Sequence, residues 1–397
     1  MKLHQLLFPA IATVCGLTAH AYNFEIDGIC YDITTENSVK VSSQPESIYE
    51  GSIIIPESVC HDNKTYTVTA IGAESFQGCI GLREISIPNS VTSIGFASFR
   101  GCYNLSCINL PNSVTEIGKY AFAGCQSLTD VTIPDKLTQI AESTFSNCSK
   151  LRSVTIPNSV TKIGSLAFAD CTGLTEFRIS SDNPNFAIYE GSLFNKDLTE
   201  IICFPNGLTS VSFPTSMTRI GASAFAGCSH MSDFAIPNTV VEIRDHAFSN
   251  CIALTELEIP NSVNKIGAYA FSSCIGLTDL TIPNSVVEVG PYAFAHCINL
   301  TDIEIPASVK EIRDYAFYDC KNLKEITLPS SMTRISKSTF LDCTELVTVN
   351  IPATVTEIGG HAFSNCTNLE SITITESVIS IGEYAFAGSS LHVINIP

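Results

Sequence analysis

Cysteine recurs in this chain on a fixed period. Cys79, Cys102, Cys125, Cys148 and Cys171 stand 23 residues apart, and so do Cys228, Cys251, Cys274, Cys297, Cys320, Cys343 and Cys366. A thirteenth unit carries Ser389 in the cysteine place. A constant period of about 20–50 residues marks a solenoid, whose units each pack only on their neighbours. That periodicity overrides the two or three separate domains that a chain of 397 residues would otherwise suggest.

The unit from Leu277 to Cys297 shows how one turn is built. Leu277, Leu280 and Ile282 are spaced for a short strand whose alternate side chains face inward. Pro283 removes a backbone donor and ends the strand, and Asn284-Ser285 turns the chain. Val286 and Val289 return to the core from the far side, Gly290 breaks the chain again, and Tyr292-Ala-Phe-Ala295 reads as about one helical turn. The residue before each ladder cysteine is Gly, Asn, Asp, His or, once, Ser273. Apart from Ser273, these types tolerate positive φ, so a left-handed cap is expected in that column. Phenylalanine fills a second column without a gap, from Phe76 and Phe99 through Phe294 to Phe386, and is expected to form the core. The fold class is therefore a repeat solenoid: a curved, strand-dominated coil with one dominant parallel sheet, short helical turns and roughly fifteen rungs.

The runs Leu-x-x-Ile-x-Ile-Pro-Asn-Ser-Val-Thr-x-Ile-Gly-x-x-Ala-Phe-x-Gly-Cys, clearest from Leu105 to Cys125, resemble the leucine-rich repeats of the BspA-like family. The resemblance covers about residues 66–397. It implies a leucine-rich-repeat coil in a secreted or cell-surface protein, with a role in adhesion to host, matrix or other cells. The segment from Tyr22 to Tyr66, with Phe24-Glu-Ile-Asp-Gly-Ile-Cys-Tyr-Asp-Ile33, looks like the leader region of such arrays. Its alternating residues suggest short strands that cap the first rung.

Three segments are thus expected. Lys2, the apolar stretch from Leu6 to Leu17 and Ala19-His20-Ala21 form a signal-peptide pattern over residues 1–21, with cleavage before Tyr22. Residues 22–66 supply the capping strands, and 67–397 the solenoid. An irregular insertion lies at about 177–210, because the gap from Cys171 to Cys228 is 57 residues. Within it, Ala187 to Phe194 and Leu198 to Phe204 read as two strands around Asn195-Lys196-Asp197, a hairpin signal. The insertion is either an irregular rung that keeps the sheet continuous or a protruding binding hairpin.

Chemistry is sparse. Acids outnumber bases 39 to 21, for a net charge of −18, which argues against nucleic-acid binding. No long apolar stretch follows the leader, so no transmembrane segment is expected in the mature chain. No phosphate loop, zinc-protease or nucleophile-elbow motif occurs, and the histidines scatter over the rungs. Neither an enzyme nor a cofactor is expected. Zinc wants four converging ligands, whereas the cysteines form a line. Identical stacked rungs also point their Cβ vectors the same way, poor geometry for disulfides. The ladder thiols are therefore expected buried and hydrogen-bonded to adjacent turns. Cys30 and Cys60 could pair within the cap.

Two surface columns remain. The residue before the inward apolar side chain of the strand is acidic in Glu84, Asp130, Glu176, Asp233, Glu256, Asp279, Asp302 and Glu325, with Glu258 and Glu304 two positions along. This is either a solubilising stripe or a concave acidic track for a basic protein surface or a divalent cation. His246, Tyr269, Tyr292 and Tyr315 occupy successive rungs two residues before the Phe, with Tyr120, His361 and Tyr384 in the same place. They are either packing over the turn or a ridge for protein or glycan contact. The expected function is a secreted or surface binding module whose site draws on Asp233, Glu256, Asp279, Asp302, Glu325, Tyr269, Tyr292 and Tyr315. The alternative is a structural surface protein without a dedicated ligand. A hydrolase or inhibitor acting through the insertion is a weaker third reading.

Overall fold

The computed structural model describes residues 22–44, 49–232 and 234–395. The expected signal peptide and Asp233 lie outside these residues. The chain winds into a strand-rich parallel solenoid of about 14 turns. Each regular turn contributes to two parallel ladders, not to the one dominant sheet expected. The first holds three-residue strands such as Asp130–Thr132, Ser153–Thr155 and Glu176–Arg178, with Val131, Val154 and Phe177 in register. The second holds two-residue strands such as Arg219–Ile220, Glu242–Ile243 and Lys265–Ile266. The proline after the first strand forces the division. It ends that strand, and the Thr-x-Ile stretch beyond the turn pairs independently.

No described residue is helical, which corrects the expected helical turns. The stretch through each Phe carries two left-handed residues four positions apart. One is the residue before the ladder cysteine, at φ between 58° and 79° in all thirteen units, Ser273 included at 61°. The other lies two residues before the Phe: Glu74, Ala97, Tyr120, Ser143, Leu166, Ser223, His246, Tyr269, Tyr292, Tyr315, Ser338, His361 and Tyr384, at 50° to 60°. Sequence reading misses this second column because no glycine marks it. It does exclude the β-branched residues that suffer most there. Positive φ at this spacing prevents an i to i−4 helical ladder and turns the backbone groups along the solenoid axis. Phe99 N–H donates to Ala121 C=O at 2.8 Å, Phe122 N–H to Thr144 C=O at 2.9 Å, and Gly101 N–H to Ala123 C=O at 2.8 Å. A third run of inter-turn hydrogen bonds therefore closes the turn face.

Inside this frame the phenylalanines stack. Phe248, Phe271 and Phe294 sit 5.2 and 5.5 Å apart with ring planes within 3°. The cysteines among the described residues are free and, apart from Cys60 and Cys107, buried. The Cys297 thiol donates to Phe271 C=O at 3.2 Å and the Cys320 thiol to Phe294 C=O at 3.1 Å, a contact repeated along the array. Burial pushes these thiols up, Cys102 to about 12. Cys30 and Cys60 are unbridged, one buried and one exposed.

The leader feeds both ladders. Phe24–Ile26, Ile29–Thr35 and Ser38–Ser42 form an antiparallel meander. Ser38–Ser42 then pairs in parallel with Lys64–Ile71, which spans the expected boundary at residue 66 and starts the second ladder by pairing with Ser93–Ile94. Gly51–Ile54 starts the first ladder against Leu82–Ser86.

The insertion contains three strands instead of the two expected: Phe186–Tyr189, Ser192–Asn195 and Glu200–Cys203. Glu190 and Gly191, at φ 46° and 81°, split the first expected strand by a turn. The hairpin at Asn195 is present, with Asn195 Oδ1 accepting from the N–H groups of Thr199 and Glu200 at 2.9 Å each. Glu200–Cys203 joins the second ladder against Arg219–Ile220. Phe204 N–H donates to Ala224 C=O at 2.7 Å, the bond a regular core Phe would make. Asn206 Nδ2 donates to Ala226 C=O at 2.8 Å, where regular turns use a backbone N–H. The insertion is thus a foreshortened turn that skips the outer bend. Where the bend is missing, the flanking turns close on each other: Ser165 and Ser223 hydroxyls lie 3.1 Å apart, Gly227 packs against Asp170, and Asn250 Nδ2, one turn further on, reaches Asp170 at 2.6 Å. The buried apolar residues form two clusters that meet here. Leu193 and Cys203 belong to the N-terminal one, and Phe194, Ile201 and Phe204 to the C-terminal one.

Replacing the fully buried Phe294 by Ala is expected to cost about 3–5 kcal/mol in denaturant unfolding. A loss below about 1 kcal/mol would mean that the ring column is not core. Thiol titration of the native protein should find Cys60 and Cys107 reactive at once. After denaturation without reductant the ladder cysteines should appear as free thiols; their absence from the count would contradict the thiol-to-carbonyl contacts.

Candidate interaction surfaces

The acidic column lies on the outward face of the first ladder. In the five-stranded run Glu256–Glu258, Asp279–Thr281, Asp302–Glu304, Glu325–Thr327 and Thr348–Asn350, the middle residue is buried and both flanking residues are exposed. Period-two alternation dictates this arrangement, since Leu257, Leu280, Ile303 and Ile326 must face the core. Glu256 is in register with Asp279, and Asp302 with Glu325. Glu258 faces Thr281, which faces Glu304. The fifth strand carries no acid, so Glu256, Asp279, Asp302 and Glu325 form a strip four strands wide among the described residues.

These carboxylates are bare. None of the six, counting Glu258 and Glu304, takes part in an ion pair among the described residues, and the single side-chain hydrogen bond to them comes from Thr301 Oγ1 to Asp302 at 3.0 Å. The N-terminal members of the column differ. Glu84 accepts from Ser52 Oγ, and Glu176 pairs with Arg178 at 2.6 Å. The Ser153 hydroxyl at 2.7 Å holds the Asp130 carboxyl below its ordinary value.

The second ladder carries acids too and pairs most of them, Glu116 and Glu357 remaining unpaired among the described residues. Arg244 reaches Glu200 at 2.7 Å and Glu242 at 3.3 Å. Arg313 reaches Glu288 at 2.7 Å and Glu311 at 3.1 Å, and Arg334 reaches Glu311 at 2.6 Å. Like charges alongside each other on a sheet repel unless screened or countered, so the uncountered strip stands out against this paired face. No three His, Cys, Asp or Glu side chains converge as a metal site among the described residues.

The aromatic column occupies the outer left-handed position, away from the acidic strip along each turn. His246, Tyr269, Tyr292 and Tyr315 stack with ring centroids 4.6 Å apart at each step and planes within 5°. All four are half-buried. Burial lowers the His246 pKa, against the opposing charges of Asp245 and Glu142, and burial aided by the neighbouring tyrosines raises that of Tyr292 to about 12. Two further aromatic residues belong to this surface and escaped the sequence reading. Tyr318 packs edge-on against Tyr315 at 6.0 Å, and His296 edge-on against Tyr318 at 4.8 Å. Tyr318 follows its core Phe where most other units carry Ala or Ser, a departure that column-by-column reading could have found.

A family model described as "BspA type Leucine rich repeat region" matches residues 69–199, 203–301 and 287–397. A solved leucine-rich repeat protein from Bacteroides ovatus is 32% identical, covering 92% of each chain, with a TM-score of 0.47. A leucine rich cell surface protein from Faecalibacterium prausnitzii is 26% identical over 82% of this chain and 94% of that one, with a TM-score of 0.55. A leucine-rich repeat protein from Eubacterium ventriosum is 24% identical over 93% and 94%, with a TM-score of 0.60. No curated protein matches. No helix among the described residues is long and apolar enough to cross a membrane.

The aromatic stack gives stability a defined pH window. His246 is held neutral by burial, so below its ordinary value of 6.5 the unfolded chain binds the proton better and stability falls with pH. Tyr292 is held protonated, so above 10.0 the unfolded chain releases its proton first and stability falls as pH rises towards 12. The buried ladder thiols add to the alkaline loss from their ordinary value of 9.0, so the thermal midpoint should be flat only between about 6.5 and 9.0, and Tyr292→Phe should lessen the part of the decline above 10.0. An unchanged alkaline limb in that variant would remove Tyr292 from the account.

Proposed function

The chain belongs to the BspA-type leucine-rich-repeat family, and we propose that it acts as an exported, surface-associated protein-binding module whose C-terminal acidic strip receives a basic partner surface. The observation that carries the reading is the contrast in charge pairing. Most acids elsewhere on the two ladders meet Arg or hydroxyl partners, Glu116 and Glu357 being isolated exceptions, whereas Glu256, Glu258, Asp279, Asp302, Glu304 and Glu325 form a contiguous group that shares one weak partner. Neighbours on adjacent strands are about 4.8 Å apart. Through water each repulsion is on the order of 1 kcal/mol or less, yet the row raises the local negative potential. Such a field speeds encounter with a basic surface and selects against acidic ones. Export rests on the N-terminal signal-peptide pattern: Lys2, the apolar stretch Leu6 to Leu17, and Ala19-His20-Ala21. The similar Faecalibacterium chain, described as a cell surface protein, supports the same location. Adhesion to host or matrix proteins is the form of binding most in keeping with such a surface.

Replacing Asp279 and Asp302 by Asn should weaken binding to a basic protein panel and to poly-lysine by roughly 0.4–2 kcal/mol in total, and should flatten the salt dependence. Shortening the hairpin around Asn195 should leave binding intact. Binding that survives the Asn pair but disappears with the hairpin would move the site to the insertion.

A further inference from the structure

From His246 onward the outer left-handed column reads His246, Tyr269, Tyr292, Tyr315, Ser338, His361 and Tyr384. Rings on consecutive turns stack, Tyr292 on Tyr315 at 4.6 Å and His361 on Tyr384 at 5.2 Å. Ser338 is the one ringless member of the column with a ring on each side. Ser143 has Tyr120 on one side and Leu166 on the other, and Ser223 has Leu166 and His246. The backbone runs through Ser338 without a break. Tyr315 N–H donates to Lys337 C=O at 3.0 Å, Ser338 N–H donates to Gly360 C=O at 2.9 Å, and Ser338 keeps φ 53°. The Tyr315 and His361 rings therefore stand two turns apart, roughly 9–10 Å. That is the spacing of a three-ring stack with the middle ring removed.

We propose that this gap is a binding slot for one planar aromatic side chain of a partner protein, sandwiched between Tyr315 and His361. Both flanking residues are half-buried, so their rings reach solvent at the mouth of the gap. Ser338 itself lies beneath the gap, 1% exposed and with its hydroxyl buried and without a hydrogen-bond partner, so the slot is the space between the two rings outside this residue. Tyr318, edge-on to Tyr315 and itself backed by His296, holds the Tyr315 ring in the line of the stack. An incoming ring would sit level with its two neighbours, outside the buried Ser338 backbone, and would gain an offset-stacked contact on each face. Indole suits the slot best, because it offers the largest face and an N–H edge. The slot lies on the turn column and does not rest on the acidic strip.

The chain contains no tryptophan, so an indole probe reports its own environment without background. N-acetyl-tryptophanamide should bind the full chain saturably, with a blue-shifted emission. Ser338→Tyr fills the gap with a residue that the column already accommodates at Tyr292 and Tyr315, and it should weaken the probe about tenfold or more. His361→Ala, which removes one wall, should do the same and keeps the test decisive if the first variant folds poorly. Asp279→Asn with Asp302→Asn should leave the probe's affinity unchanged. A capped Gly-Trp-Gly peptide should bind as well as the amide; its failure to bind would overturn the assignment to a partner's side chain. No saturable binding, equal binding to Ser338→Tyr or His361→Ala, or loss of binding in the Asp pair would overturn the slot itself.

Discussion

Every turn of a solenoid must pass its backbone hydrogen bonds to the turns on either side, because a coil this thin has no interior to hide unpaired peptide groups. On two faces short parallel strands meet that demand. On the third face strands are absent, and two left-handed residues four positions apart meet it instead by aiming N–H groups along the axis. Much of the rest follows from that bend. It places the core Phe ring directly over the ring of the preceding turn. It leaves the Phe carbonyl free to accept both the N–H of its own cysteine and the thiol of the next, as Phe271 does from Cys274 and Cys297. It also projects one side chain per turn outward in the same orientation, so the tyrosines of the outer column stack.

The sequence was most legible where a residue type has one physical reason to be present. The Phe column, the buried cysteines and the left-handed residue before each cysteine all follow from size, polarity and tolerance of positive φ. The second left-handed column was illegible because Tyr, His, Ser, Leu, Ala and Glu share no property that marks it; only the absence of β-branched residues hints at it. The helical reading of Tyr-Ala-Phe-Ala failed for the same reason, since local propensity favoured a helix that inter-turn hydrogen bonding overrode. The acidic strip was visible as a pattern, but its isolation was not, because pairing depends on which Arg of the same or a neighbouring turn reaches which Glu. The gap at Ser338 was in plain view in the column, yet it acquires meaning only once the flanking rings are seen to stack.

The foreshortened turn from Glu200 to Asn206 divides the molecule in two. It carries Leu193 and Cys203 towards one apolar cluster and Phe194, Ile201 and Phe204 towards the other, so each half packs against a partition instead of against an identical turn. The surfaces differ on either side as well. First-ladder acids before it have hydroxyl or arginine partners, and those after it are mostly bare. The continuous aromatic stack likewise begins after it, at His246. Both candidate surfaces therefore belong to the C-terminal half.

Self-complementarity of the turns also governs how such a chain can vary in length. Each column matches itself one unit later, so the loss or duplication of 23 residues rejoins Phe to Phe, cysteine to Phe carbonyl and strand to strand with no new junction to invent. Recombination between neighbouring repeats would then change the protein in whole quanta, and the place of the exchange would decide its outcome. Removing the unit around Ser338 would bring Tyr315 and His361 into contact and seal the aromatic gap, while every buried column stayed in register. The turn at Phe204 has no interchangeable copy, because Phe204 and Asn206 answer to Ala224 and Ala226 alone. The array can lengthen or shorten on either side of that point, but the point itself is a fixed landmark.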